Sequence, residues 1–357
     1  MKENRAVDAT KEQELSLFAA ANSGSGFVSF YDRIFERREL THRYLLKGGP
    51  GTGKSSFMKR LAAHAEGKGM RVEAYRCSSD PDSLDGIVLD GRIAVLDATA
   101  PHTVEPTLPG VRDEIVNLGE FWDAERLTER YNDIVTLTAC KSASYEKAYR
   151  FLSAAMAVDA VNRSLVLPCI RTDKAEGAVR RLLRTVPDGE GFSLLPVFAD
   201  SIGMRGRVRL DTLERMAKKL YTVEDYYGIG TLFLSLVIAE ARSKACRVRV
   251  SYCPLTPDLP DGVLLEESGV CLVLSGERSE TADGRLNMKR FADEDRLRGR
   301  KSEYRINRRL LEGLMLSAEE ALAEAGRYHF SLEKQYGECM DFASLARFTE
   351  SFCQKIG

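Results

Sequence analysis

One long stretch occurs twice in this chain, and that repetition sets the terms for any fold it adopts. From Met70 the sequence reads "MRVEAYRCSSDPDSLDGIVLDGRIAVLD", and from Cys246 it reads "CRVRVSYCPLTPDLPDGVLLEESGVCLVLS". At a constant offset of 176, Arg71, Val72, Cys77, Pro81, Asp82, Asp85, Gly86 and Leu89 meet Arg247, Val248, Cys253, Pro257, Asp258, Asp261, Gly262 and Leu265. So many identities in one register mark an internal repeat rather than shared composition. Upstream, "LFAAANSGSGFV" has an echo in "VFADSIGMRGRV", and downstream "DAERLTERY" is answered more weakly by "DEDRLRGRK".

At 357 residues the chain exceeds one ordinary core and suits two domains. Strand-type and helix-type apolar patterns alternate in each copy, which predicts α/β architecture with mostly parallel sheets. The expected division is an N-terminal extension over 1–16, a first domain over 17–155, a helical connector over 156–195 and a second domain over 196–357.

The first copy carries "YLLKGGPGTGKSSFMKR", Tyr44 to Arg60. "HRYLLK" reads as a buried strand, and Phe57, Met58, Leu61, Ala62 and Ala65 recur at helical spacing after the glycines. Within this strand–loop–helix context "GGPGTGKS" satisfies G-x-x-x-x-G-K-[ST], the Walker A pattern of a P-loop. Gly48, Gly49, Pro50, Gly51, Thr52, Gly53, Lys54, Ser55 and Ser56 are the expected nucleotide-binding residues. Gly51 and Gly53 let the backbone curl so that successive N–H groups face phosphate, at the favourable end of a helix dipole. Lys54 then reaches the β- and γ-phosphates, and the Ser55 hydroxyl is placed to ligate Mg²⁺.

A second metal acid is expected at the end of a neighbouring strand, and "RIAVLD" supplies Asp97. Asp80, Asp82 and Asp85 fall at the same predicted sheet edge, and His102 follows in "DATAPHTVEP". The repeat sorts these acids. Asp82, Asp85 and Gly86 persist in the second copy, which favours a loop-building role for them, whereas Asp80 gives way to Thr256 and "APH" to unrelated residues. Asp80 and His102 therefore join Lys54 and Asp97 as catalytic candidates, with turn formation and a structural histidine as the alternative readings.

In the second copy the corresponding loop is "DYYGIGTLFLS", Asp225 to Ser235. Matching Gly228 and Gly230 to Gly51 and Gly53 puts Thr231 and Leu232 where Lys54 and Ser55 belong, and a two-residue insertion brings Ser275 to the place of Asp97. The second copy is thus expected to be a degenerate P-loop-like domain without Mg-nucleotide turnover. Its "RLRGRKSEYRINRR", Arg296 to Arg309, holds six arginines and one lysine; a solvated helix face, an arginine finger for the first domain and a polyanion grip are the readings to separate.

"LLKGGPGTGKSSFMKRL", "CSSDPDSLDGIVL", "AVLDATAPHTVEP" and "EIVNLGEFWD" together resemble a family of tandem-repeat P-loop ATPases of bacteria, common in spore-forming Firmicutes. The resemblance extends through both halves and implies an ATP-binding, ATP-hydrolysing protein of the cytoplasm, with two P-loop NTPase-like domains. This chain departs from the family pattern at its second loop.

The expected function is Mg-dependent ATP binding and hydrolysis at the first loop, with the second repeat structural or regulatory. An ATP-dependent small-molecule kinase, with a lid over "EPTLPGVRDEIVNLGEFWD", and a nucleotide-responsive scaffold with negligible turnover are the alternatives. No Asn/Thr-Lys-x-Asp motif for guanine occurs, which favours ATP over GTP. With 52 basic and 53 acidic residues the chain has no overall field to draw it to nucleic acid; protein partners or self-association stay open. Eight cysteines without CxxC pairs or zinc spacing read as reduced thiols. A charged N-terminus without an apolar core, and no run of 18 apolar residues, argue against secretion and membrane insertion.

Overall fold

Each half threads the same sequence of elements, as the repeat requires. In a computed structural model that describes residues 15–275 and 282–356, the first half contains β1 (Leu15–Phe18), the hairpin β2 (Ala20–Ser23) and β3 (Gly26–Ser29), α1 (Tyr31–Phe35), β4 (His42–Lys47), α2 (Lys54–Gly67), β5 (Val72–Arg76), β6 (Leu84–Leu89), β7 (Ile93–Asp97), β8 (Asp113–Asn117), α3 (Ala124–Glu129), α4 (Tyr131–Val166) and α5 (Thr172–Leu182). The second repeats this order with β9 (Ser193–Val197), β10 (Asp200–Gly203), β11 (Gly206–Arg209), α6 (Thr212–Met216), β12 (Lys219–Glu224), α7 (Ile229–Ser243), β13 (Arg247–Tyr252), β14 (Pro260–Leu265), β15 (Val270–Ser275), β16 (Gly284–Asn287), α8 (Glu294–Arg298), α9 (Lys301–Gly337) and α10 (Phe342–Ile356). Most of the expected N-terminal extension lies outside the described residues.

The architecture is α/β, with two six-stranded mixed, mostly parallel sheets of orders β1-β5-β6-β7-β4-β8 and β9-β13-β14-β15-β12-β16. In each, the second strand after the glycine-rich loop, β6 or β14, runs antiparallel to both neighbours. β4 and β6 are buried along almost their whole length, so they read as apolar runs rather than alternating ones. Phe57, Met58, Leu61, Ala62 and Ala65 form the buried stripe of α2 at the predicted spacing.

The halves are interlocked. α4 and α9, of 36 and 37 residues, lie antiparallel and share a seam of Ala148, Leu152, Ala155, Met315, Ala318 and Leu322. Each long helix delivers a terminal helix to the other half: α5 packs on α7, and α10 packs on α2. Paired backbone bonds lock both crossings, Asp123 N to Cys339 O (2.8 Å) with Asp341 N to Phe121 O (2.7 Å), and Arg171 N to Phe291 O (2.8 Å) with Asp293 N to Cys169 O (2.7 Å). The division sketched at residue 155/156 falls inside α4, and the segment over 156–195 supplies the helix that completes the second half's core.

A local two-fold axis relates the halves. Phe18 and Phe198, which occupy matching positions, exchange reciprocal N–H to O bonds of 2.9 Å. Near it Glu73 meets Arg249, its own counterpart in the repeat, at 3.3 Å. Among the described residues no helix is long and apolar enough to cross a membrane, and all eight cysteines are free thiols.

Candidate functional site

Strand β4 ends at Lys47, and six residues intervene before α2 begins at Lys54. Gly51 (φ +71°) and Gly53 (φ +85°) take left-handed conformations that a side chain would strain, which lets the loop fold back above the helix start. Thr52 Oγ1 donates to Gly49 O at 2.9 Å and holds the curl. Among the described residues, no oxygen accepts from the amides of Gly51, Thr52, Gly53, Lys54, Ser55 and Ser56, while Phe57 N already finds Gly53 O at 2.8 Å. The result is a run of donors at the N-terminus of a 14-residue helix, an arrangement suited to an anion.

Lys54 Nζ donates to Gly48 O (2.7 Å) and Gly49 O (2.8 Å) and lies 3.6 Å from Asp97 Oδ2. Asp97 closes β7 beside the loop, and its Oδ1 accepts from Thr99 N at 2.9 Å. Burial raises its carboxyl above the ordinary value although Lys54 pulls the other way. The Ser55 hydroxyl accepts from Leu84 N at 3.0 Å, which ties the loop to the start of β6. Ser55 and Asp97 are hard-oxygen donors of the kind Mg²⁺ takes, and no cluster of three or more His, Cys, Asp or Glu side chains suited to a metal occurs among the described residues. A metal here fits only in the manner usual for Mg²⁺, on one or two protein oxygens plus phosphate and water.

His102 sits beside this set. Its Nε2 lies 3.2 Å from Asp85 Oδ2, its ring stacks on Tyr31 (4.3 Å) and Phe27 meets it edge-on (5.0 Å). Nδ1 is buried and has no partner among the described residues. Burial alone would lower the imidazole's pKa, but the Asp85 carboxylate more than offsets it, so His102 holds its proton above the usual value. Burial and the nearby Asp85 and Asp97 carboxylates push the Tyr31 phenol far up.

The acids are distributed differently from the expectation. Asp80 Oδ2 accepts from the Ser83 hydroxyl at 2.9 Å, and Arg205 of the second half reaches Asp80 at 3.1 Å and Asp82 at 2.6 Å. Asp80 therefore builds a turn and an inter-half contact, and Asp85 is the acid brought to His102. Persistence in the second copy pointed away from Asp85 because the same place is used there too: Asp261 lies near Ser251, Asp200 and Arg209. Glu105 pairs with Lys47 at 2.8 Å, well exposed.

The second half closes its own loop. Register from β12–β15 and β12–β16 shows that only four residues separate β12 from α7, and Gly228 (φ +83°) precedes Ile229 as Gly53 precedes Lys54. α7 is one residue longer than α2 at its start: Phe233, Leu234, Val237 and Ala241 stand against Phe57, Met58, Leu61 and Ala65, so Gly230 and Thr231, rather than Thr231 and Leu232, take the places of Lys54 and Ser55. The insertion before β15 is one residue, so Leu274 takes the position of Asp97 and Ser275 follows it. Asp225, just after β12, accepts from Gly228 N (2.9 Å) and Gly230 N (2.7 Å), so a carboxylate of the chain satisfies the amides that are free in the first half.

The arginine cluster stays on that side. Arg300 donates to Leu165 O at 2.8 Å and Arg296 to Pro168 O at 3.3 Å, covering carbonyls at the end of α4, and Tyr304 packs on Tyr227 of the closed loop (4.6 Å). What reaches the first loop from the second half is the end of α9 with α10. A Cβ on Gly51 would lie 2.4 Å from Glu333 O, one on Gly49 3.0 Å from the Tyr336 ring, and one on Gly53 2.9 Å from Leu345. Sequence gave no signal for these contacts, which depend on the helix exchange.

Asp261 offers a test of the second half. Desolvation, with the Asp200 carboxylate nearby, pushes its carboxyl up to about 7. The folded state then holds a proton that the unfolded chain releases, so stability declines as pH rises from the ordinary carboxylate range to about 7. Asp261→Asn is expected to leave the unfolding free energy nearly unchanged at pH 4 and to raise it at pH 8, by up to about 1.4 kcal/mol for each unit of that window. Calorimetric unfolding at both values checks it.

Protein-family models, curated proteins and solved structures were compared with the chain, and none matches.

Proposed function

We propose that the chain binds Mg-ATP at the Gly48–Ser56 loop of its first half and hydrolyses it there, as the resemblance to tandem-repeat P-loop ATPases implies. The observation that carries the reading is the run of unpaired amides from Gly51 to Ser56 with Lys54 and Asp97 3.6 Å apart beside it. The amides and Lys54 hold and orient the β- and γ-phosphates, and Ser55 and Asp97 are the oxygens offered to the metal. Mg²⁺, when bound, neutralises charge that develops on the transferred phosphoryl group. The Asp85 carboxylate, at ion-pair distance from Nε2, favours the charged imidazole, and the buried, unpartnered Nδ1–H is the donor offered to a γ-phosphate oxygen.

Titration of the protein with Mg-ATP, followed by phosphate-release assays on the wild type and Lys54→Ala, tests the proposal. Absence of binding sinks it. Binding without release favours a second reading, in which the nucleotide sets the fit between the halves; the packing of α9 and α10 on Gly49, Gly51 and Gly53 supports that alternative. For the histidine, turnover is expected to fall as pH rises through a group titrating above the usual histidine value. His102→Gln should remove that limb and slow turnover by about 10²-fold. An unchanged pH profile counts against its role.

A further inference from the structure

The exchanged helices do not fill their hosts equally. On the first half, α10 lays the Phe348 ring between Phe57 (6.0 Å) and Phe121 (5.5 Å). The reciprocal backbone bonds align Asp341 with Arg171, so the residue of α5 that matches Phe348 is Ala178. An aromatic ring in one half is thus replaced by a methyl group in the other. The space left behind is a cavity of about 250 Å³ between α5, α7 and the segment after β16.

Phe233 and Phe291, stacked at 5.5 Å and almost wholly covered, lie beneath it, with Leu182 and Leu286 beside them. Arg181 and Arg290 stand at its mouth, and neither is ion-paired to a carboxylate among the described residues. A half-open, mostly apolar cleft of this kind, smaller than the roughly 300–1,000 Å³ of drug-sized pockets, suits one ring with a short side chain. Two guanidiniums at the rim select for an anionic end on that ring, because each can form charge-assisted bonds to a carboxylate.

We infer that the second half binds a small aromatic carboxylate in this cavity, its ring in the place of Phe348 and its carboxylate between Arg181 and Arg290. Such a ligand would bridge α5, which comes from the first half, to α7 and the β16 segment of the second. It is independent of the nucleotide reading, since the closed loop of this half takes no part.

Calorimetric titration of the full-length protein with 3-phenylpropionate, and with neutral 2-phenylethanol, tests the inference. Saturable binding with one site is expected for the acid, at least about tenfold tighter than for the alcohol, the scale of one charge-assisted bond. Ala178→Phe should abolish it while keeping or raising the melting temperature, because the ring fills the hole as Phe348 does. The Arg181→Gln/Arg290→Gln pair should weaken it at least about tenfold. No saturable binding of the acid, or binding that survives Ala178→Phe, overturns the assignment. Should that variant misfold, the arginine pair, which lies at the surface, decides: unchanged affinity there overturns it equally.

Discussion

Lys54→Ala is expected to lower phosphate release from Mg-ATP by about 10²–10³-fold or to background, the scale seen when one preorganised charge-stabilising donor is removed. Lys54 is placed by the fold rather than by chance of rotamer: two loop carbonyls accept from it at 2.7 and 2.8 Å, and Asp97 faces it at 3.6 Å. The variant should remain folded, because Leu46, Phe57, Met58 and Leu61 anchor strand and helix without it. Release assays run beside circular dichroism separate loss of chemistry from loss of fold. Undiminished release from Lys54→Ala would remove the first loop from the reaction.

The second large effect concerns stability. Arg43 lies in β4 with its side chain fully buried, and its Nε and Nη2 donate to the two oxygens of Asp113 at 2.7 and 2.8 Å. Thr107 N (2.7 Å), Leu108 N (2.9 Å) and Arg112 Nε (2.8 Å) complete the shell of Asp113, and Glu36 adds a second carboxylate to Arg43. Hydrogen bonds from Arg43 outweigh burial and hold the Asp113 carboxyl well below the usual range. Asp113→Asn leaves the buried guanidinium with only the partly exposed Glu36 as counter-charge, at an expected cost of up to about 3–5 kcal/mol, a large share of the roughly 5–15 kcal/mol that a domain has.

Urea denaturation gives the check, and its pH dependence has a definite sign. A carboxyl depressed in the folded state contributes above its unfolded pKa and loses that contribution as pH falls below it, so the gap between wild type and variant should narrow under acid conditions. The second half shows that the pair is not required by the fold itself. There Leu220 stands in the place of Arg43, and Asp283 turns its carboxylate to Leu220 N at 2.7 Å. A double change of Arg43→Leu with Asp113→Asn should therefore recover part of the loss.

Much of the first half was legible because its signals are local. Strand, glycine loop and helix follow one another within Tyr44 to Arg60, and the buried stripe of α2 falls where its periodicity put it. The second loop was misaligned because Gly228-x-Gly230 imitates Gly51-x-Gly53 in spacing, while the shortening of the loop can be seen only from strand and helix register. Likewise an apolar run ending in Leu274-Ser275 gives no mark of which residue closes the strand. The exchange of α5 and α10 was invisible for a different reason. A helix shows the same apolar face whichever half it covers, so its pattern carries no address.

The meeting of Glu73 with Arg249 decides which fragments can assemble. Because each is the other's counterpart across the axis, two first halves brought together would set glutamate against glutamate, and two second halves arginine against arginine, at about the 3.3 Å now spanned by an ion pair. Glu73 also pairs with Arg37 and Arg71 of its own half, and Arg249 with Glu266, so the like-charge contact would be partly offset and the unlike pairing is favoured rather than enforced. Cut between α5 and β9 and expressed together, the two fragments are expected to pair as a heterodimer in preference to either homodimer, which size-exclusion chromatography of the mixed and separate fragments checks.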